Sequence, residues 1–195
     1  MNKRIWIPRR FLFVIASFIL TLFLYIDRAC ISVAKDNVSS DLGLSDNQMG
    51  WVLSAFALGY AIFQVPGGLL SDRFGPRRIL TIIIGAWSLF TALTGLVKTY
   101  VSMLMVRFFF GVGEAGAFPG ISRAVYSWIP LKERGIVQGI NFSGSRIGAA
   151  FALPLVAWMI ESMGWRKSFI VLGLAGIVFA LLWFLFFRDK PEDHP

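Results

Sequence analysis

The sequence predicts an all-α membrane protein with six transmembrane helices, on three observations: its composition, the length of its apolar runs, and the placement of its basic residues. Of 195 residues, 56% are hydrophobic and only 15% charged, and the mean hydropathy is +0.69. So apolar a chain needs lipid as its solvent. Crossing a bilayer core takes about 20 apolar residues as helix, and such runs lie at 11–34, 49–70, 79–96, 101–122, 136–160 and 168–187. A net charge of +8 would suggest nucleic acid in a soluble protein. Here Lys and Arg fall in short segments between apolar runs, where they act as topology signals, so no nucleic-acid partner is expected.

The first run follows Lys3, Arg4, Arg9 and Arg10, and Ser32-Val33-Ala34 imitates a signal-peptide cleavage site. The run is nevertheless long enough to span and five more follow it, so it is read as a span. Gly75-Pro76 and Ile129-Pro130 break the chain between spans, while Pro66 and Pro119 lie within or near the ends of spans. Gly116-x-x-x-Gly120, Gly135-x-x-x-Gly139 and Gly144-x-x-x-Gly148 predict close helix packing. Arg73, Arg77 and Arg78, then Arg123, Lys132 and Arg134, then Arg188 and Lys190 fall on the side of the basic N-terminal segment, against only Lys35, Lys98, Arg166 and Lys167 opposite. The positive-inside rule therefore places both termini in the cytoplasm of a multi-pass protein of the cell (inner or plasma) membrane. The single Cys30 allows no intrachain disulfide, and His194 sits in a polar tail, where a solvated residue is expected rather than a metal ligand.

The chain also repeats itself. Asp72-x-x-Gly75-x-Arg77-Arg78 after the second span recurs as Glu161-x-x-Gly164-x-Arg166-Lys167 after the fifth, 89 positions later and on the opposite face of the membrane. Three helices followed by three inverted ones is a common plan of secondary transporters.

Five charges lie inside spans: Asp27, Arg28, Arg107, Glu114 and Arg146. Each would cost roughly 2.5–3.5 kcal/mol at the centre of a span, so they point to a function, with buried ion pairs that lock helices as the structural alternative. Arg107 lies about 9 Å into its span and could snorkel, whereas Glu114 and Arg146 are near mid-span. Arg107 and Glu114 are seven residues apart on one helix face, with Gly111 between them. Gly111-Val-Gly113-Glu-Ala-Gly116 matches a dinucleotide fingerprint only by coincidence, lacking the strand and βαβ unit that fingerprint requires. Three arginines against two carboxylates favour an anionic substrate. Arginine stays protonated, so only the acids can cycle: proton uptake by an acid would free an arginine for the anion. Tyr60 and, one turn on, Gln64 offer hydroxyl and amide groups for binding, or form a polar packing pair.

These residues resemble the major facilitator superfamily and, within it, the anion:cation symporter family of organic-anion transporters. Gly68-Leu-Leu-Ser-Asp72-Arg73-Phe-Gly75-Pro-Arg77-Arg78 is similar to the signature between the second and third helices. Tyr25-Ile-Asp27-Arg28-Ala, Pro66-Gly67-Gly68, Arg107-Phe-Phe-Phe-Gly111-Val-Gly-Glu114-Ala-Gly-Ala-Phe-Pro119 and Trp128-Ile-Pro-Leu-Lys-Glu133-Arg134 are similar to sugar-acid and hexuronate symporters. The resemblance implies a 3+3 inverted-repeat bundle, half of a major facilitator fold, and proton-coupled uptake of a carboxylate by alternating access. It implies substrate contacts from Arg28 and Tyr60, proton coupling by Asp27 and Glu114, an Arg107–Glu114 pair, and a cytoplasmic gate at Gly68, Asp72, Arg73, Gly75, Arg77 and Arg78. Ser145 matches the family's polar substrate-facing position. Arg146 departs from the pattern and is read as a second anion anchor or as a partner of Glu114 or Asp27.

Family members have two six-helix halves, and residues 1–195 resemble the N-terminal one, ending where the central linker would begin. The chain is thus expected to need a second six-helix half, with a small organic anion, H+ and the lipid bilayer as its other partners. Sodium coupling stays open. A non-transporting interaction module is the alternative reading. An enzyme is not expected, because no nucleophile with a base or metal cluster is present, and no cofactor is implied.

Overall fold

A computed structural model of the chain describes residues 9–189; Lys3, Arg4, Lys190 and His194 lie outside them. The elements are α1 (Arg9–Val33), α2 (Lys35–Leu42), α3 (Asp46–Phe74), α4 (Pro76–Thr94), α5 (Tyr100–Glu114), α6 (Ala117–Trp128), a 3-10 turn (Leu131–Glu133), α7 (Arg134–Met163) and α8 (Trp165–Phe186). Among the described residues six helices are long and apolar enough to cross a membrane, α5 and α6 together making the fourth. All six expected spans are present, and no described residue is in a strand.

The helices outrun the apolar windows because polar caps extend them. Ser45 and Gln48 form a reciprocal capping box at the start of α3, their bonds 3.3 and 3.0 Å, and Thr99 and Ser102 repeat it at α5. These pairs satisfy amides that the first helical turn leaves free. Pro119 causes the break between α5 and α6: it has no N–H for the Ala115 carbonyl, and the helix restarts at Ala117 with the proline in its first turn. The short α2 is an addition to the expected elements. Its polar sequence carries no apolar run, and it is held by the single buried Val38 and a left-handed C-cap at Gly43.

The packing has the symmetry of the repeat. The most extensive contacts are α1 with α7, α3 with α5, and α4 with α8. Exchanging the first three spans with the last three converts the first–fifth pair into the fourth–second pair and maps the third–sixth pair onto itself. Gly75 and Gly164, the repeated glycines, adopt φ 84°, ψ 146° and φ 80°, ψ 157°, a conformation closed to residues with a Cβ. Their amides donate to Ser71 and Ile160, and their carbonyls accept from Ile79 and Ser168, pairs offset by the same 89 positions. The arginine two residues on closes each corner. Arg77 donates to the Phe184 carbonyl at 3.0 and 2.8 Å, and Arg166 to the Gly95 carbonyl at 3.3 Å. Phe184 and Gly95 are themselves 89 residues apart.

Close approach at the crossings also follows the repeat. A Cβ on Gly111 would collide with the Phe56 carbonyl of α3, and one on Gly148 with the Leu22 carbonyl of α1. The expectation for Gly135 and Gly139 is corrected: no described atom lies within 4 Å of a Cβ built at either, so they open one face of α7 rather than pack it. The α3 span is the least covered, with 17% of its apolar stretch buried against 44% for α4.

Candidate functional site

Four of the five intramembrane charges gather where α1, α3, α4 and α5 converge. Arg28, near the end of α1, directs Nε to Glu114 Oε1 at 2.9 Å and Nη2 to the same oxygen. Its guanidinium is boxed by aromatic rings, 4.9 Å from the centroid of Tyr25, 5.0 Å from Phe56 and 4.8 Å from Tyr60. The pair is lopsided in exposure: the Arg28 side chain is 24% exposed and that of Glu114 1%. Glu114 is the last residue of α5, so the break before α6 sets it at the middle of the fourth span, and its Oε2 has no hydrogen-bond partner among the described residues.

Asp27 points to the other side of α1. It is buried, its Oδ2 accepts from Trp87 Nε1 of α4 at 3.1 Å, and its Oδ1 has no partner among the described residues. Arg107, also buried, lies over the rings of Phe110 (4.4 Å) and Phe56 (5.5 Å), and its Nε has no hydrogen-bond partner among the described residues. The implied Arg107–Glu114 pair is therefore replaced. Two helical turns separate those residues by about 10 Å of rise, whereas Arg28 reaches Glu114 sideways from α1. Phe56 stands between the two arginines and faces both.

The other expected site residues divide by exposure. Tyr60 is half-buried in the Arg28 box, and Gln64, one turn further along α3, is exposed. Ser145 is corrected: it is buried, its hydroxyl donating to the Phe142 carbonyl at 2.7 Å, because it shares the α7 face with Gly144 and Gly148 that packs on α1. Arg146, the next residue, is exposed. It pairs with neither Glu114 nor Asp27, and no carboxylate among the described residues lies within 4.0 Å of it.

The arrangement permits one exchange reaction. A buried carboxylate holds a partly exposed guanidinium, so an anion arriving from the open side competes with Glu114 for Arg28. Aromatic walls strengthen that contest by excluding water from the cation while leaving its edge free.

Residues 17–195 match the Major Facilitator Superfamily. The chain belongs to that superfamily. It is 42% identical over 170 residues to the probable sulfoacetate transporter SauU of Cupriavidus necator, covering 87% of this chain and 40% of that protein. It is 38% identical over 169 residues to the hexuronate transporter of Bacillus subtilis, covering 87% and 40%. It is 38% identical over 200 residues to the probable galactarate/D-glucarate transporter GarP of Escherichia coli, covering 100% and 45%. The chain thus spans less than half the length of these curated relatives. Among solved structures it resembles a bacterial homolog of the human lysosomal transporter Spinster in an inward-facing, unoccupied conformation, with a TM-score of 0.83, 26% identity and 100% and 45% coverage. It also shares its fold with the proton:xylose symporter XylE, at TM-score 0.77 and 18% identity over 92% of this chain and 45% of that one.

In this facilitator the motif from Gly68 to Arg78 ties four spans together. Gly68 lies against Pro119 of α6. Asp72 forms an ion pair with Arg123 of α6 at 3.4 Å, Arg73 lies over Phe74 at 5.2 Å, and the Arg77 amide donates to Asp189 at 2.7 Å. Arg78 is exposed. Two residues of the site had escaped sequence reasoning, Trp87 and Phe56. A tryptophan at the middle of an apolar span carries a usable signal, because its buried N–H needs an acceptor and Asp27 is the acid at matching depth. Phe56 carries none beyond its place one turn before Tyr60.

Proposed function

We propose that this chain is one half of a proton-coupled organic-anion symporter that works by alternating access with a second six-helix bundle, in the inner or plasma membrane with both termini cytoplasmic. The observation that carries the reading is the Arg28–Glu114 pair, open on the arginine side and closed on the acid side. Protonation of Glu114 removes its charge and releases Arg28 to a substrate carboxylate, with half-buried Tyr60 and exposed Gln64 beside it on α3. Loss of the proton restores the internal pair and expels the anion. Asp27, held by Trp87, is the second acid able to carry a proton, and Arg107 supplies the positive field behind both. The motif at Gly68, Asp72, Arg73, Gly75, Arg77 and Arg78 serves as the cytoplasmic gate, its salt links breaking and forming as the halves rock. Relatives named for sulfoacetate, hexuronate and galactarate/D-glucarate transport support an acid substrate, and the sparsely covered α3 supports a partner bundle.

The test is uptake of labelled hexuronate, galactarate and sulfoacetate into liposomes that contain the complete gene product under an inward proton gradient. Accumulation should collapse on adding a protonophore and vanish in Arg28→Gln. Glu114→Gln should keep substrate exchange but lose gradient-driven accumulation. Uptake that follows a sodium gradient and ignores pH would overturn proton coupling, and no flux under any gradient would overturn transport.

A further inference from the structure

Arg146 is the one charge inside the spans to which the symport reading gives no part. An arginine facing hydrocarbon at mid-span is costly, so an exposed one faces water or a compensating charge. Its surroundings on α7 identify the side. At 100° per residue, Gly135, Gly139, Ser143, Arg146 and Ala150 fall in one strip, every one of them exposed. Ile136, Ile140 and Ile147 lie on one flank of that strip. On the other flank α7 is tied to α6, by Gln138 Nε2 donating to Ser122 Oγ at 2.8 Å and by Phe142 stacked on Phe118 at 5.5 Å. Phe118 in turn meets Tyr25 edge-on at 6.3 Å, and Tyr25 is a wall of the Arg28 box. Three aromatic rings thus pave the surface from the helix turn of Arg146 to Arg28.

Depth follows from the α1–α7 crossing. Gly144 lies against Phe18 and Thr21, and Gly148 against Leu22. Arg146 is therefore level with the residues just before Leu22, roughly two turns, or about 10 Å, from Arg28 along the axis.

We infer that Arg146 is a second anion anchor and that the preferred substrate is a small dianion with an acid group at each end, one on Arg28 and one on Arg146. The inference rests on the symport reading and adds the substrate class. Arg28 is neutralised by Glu114 until that acid is protonated, whereas Arg146 carries a standing positive charge with no described counter-ion. The loaded wall then presents two positive charges, which a dianion compensates and a monoanion leaves half-matched. A diacid also bridges the aromatic strip with its hydroxylated carbons, placing both ends without any movement of α1 against α7.

Galactarate and galactonate provide the probe, since they differ only in a terminal carboxylate against a hydroxymethyl group. Binding to the purified complete gene product, read by calorimetry at acidic pH, should favour galactarate at least tenfold. Arg146→Gln should erase that ratio while galactonate affinity stays within about threefold, and Arg146→Lys should restore most of it. Arg28→Gln should weaken both ligands. An unchanged ratio in Arg146→Gln, or an equal loss of both ligands, overturns the inference. If Arg28→Gln still weakens both ligands in that case, the symport reading stands alone. If neither ligand binds the wild type, both readings fall. Arg146 is exposed, so the variants should keep the wild-type thermal midpoint, which separates lost binding from lost fold.

Discussion

At the scale of single residues the site is organised by partial satisfaction. Asp27, Glu114 and Arg107 are each buried with one polar atom bonded to nothing described, a state that costs free energy and persists where a group must change partners. The indole of Trp87 is the fixed element of this set, since it has only one donor and spends it on Asp27. Trp87→Phe keeps an aromatic ring but deletes the donor and part of the indole's buried volume, leaving both Asp27 oxygens unpaired among the described residues. It should destabilise the folded protein by about 1–3 kcal/mol, read as a lower thermal midpoint in detergent. An unchanged midpoint would mean that neither the bond nor the indole's packing contributes to stability. The added Asp27→Asn change should recover part of the loss, because the neutral amide removes the buried charge.

At the scale of elements, the two glycine corners are the best places to separate backbone from packing. Gly75 has the Asp189 carboxylate close to its missing Cβ, but Gly164 has no described atom within 4 Å. Gly164→Ala therefore reports backbone strain alone and should cost on the order of 1–3 kcal/mol. Gly75→Ala should cost more, since the Asp189 carboxylate must also move. The check is the order of their thermal midpoints; a silent Gly164→Ala would sink the strain argument. The sequence made these corners legible, because glycine at both copies of a repeat implies one backbone geometry used twice. It made the six spans legible too, since their length is set by the bilayer. Other features were not readable for definite reasons. The α2 helix is stabilised by one buried valine and a cap, too little apolar signal to stand out. The partner of Glu114 depended on the lateral approach of α1, and helix periodicity on α5 alone favoured Arg107. Which glycine pairs pack and which open depended on rotation about the α7 axis, so Gly144 and Gly148 behaved as expected while Gly135 and Gly139 did not.

At the scale of the whole molecule, the third and sixth spans form a self-paired column to which the other two pairs attach, and arginines bind its ends. Arg77 holds the last turn of α8 at the end bearing both termini, and Arg166 holds the residues after α4 at the far end. The two ends differ in one respect. Arg166 also forms an ion pair with Asp41 at 2.9 Å and donates to the Val97 carbonyl, whereas the second tie at Arg77 is made by its backbone amide and survives truncation of the side chain. Arg166→Ala should thus lower the thermal midpoint more than Arg77→Ala. The sites are separated by the length of α4, about 28 Å at 1.5 Å per residue, and share no partner. Their effects should therefore add, with a double-variant coupling below about 0.5 kcal/mol. A larger coupling would mean that the column transmits strain from one membrane face to the other. The rigid-body rocking invoked for transport needs such a column to stay stiff while its two ends respond independently to the gates above and below it.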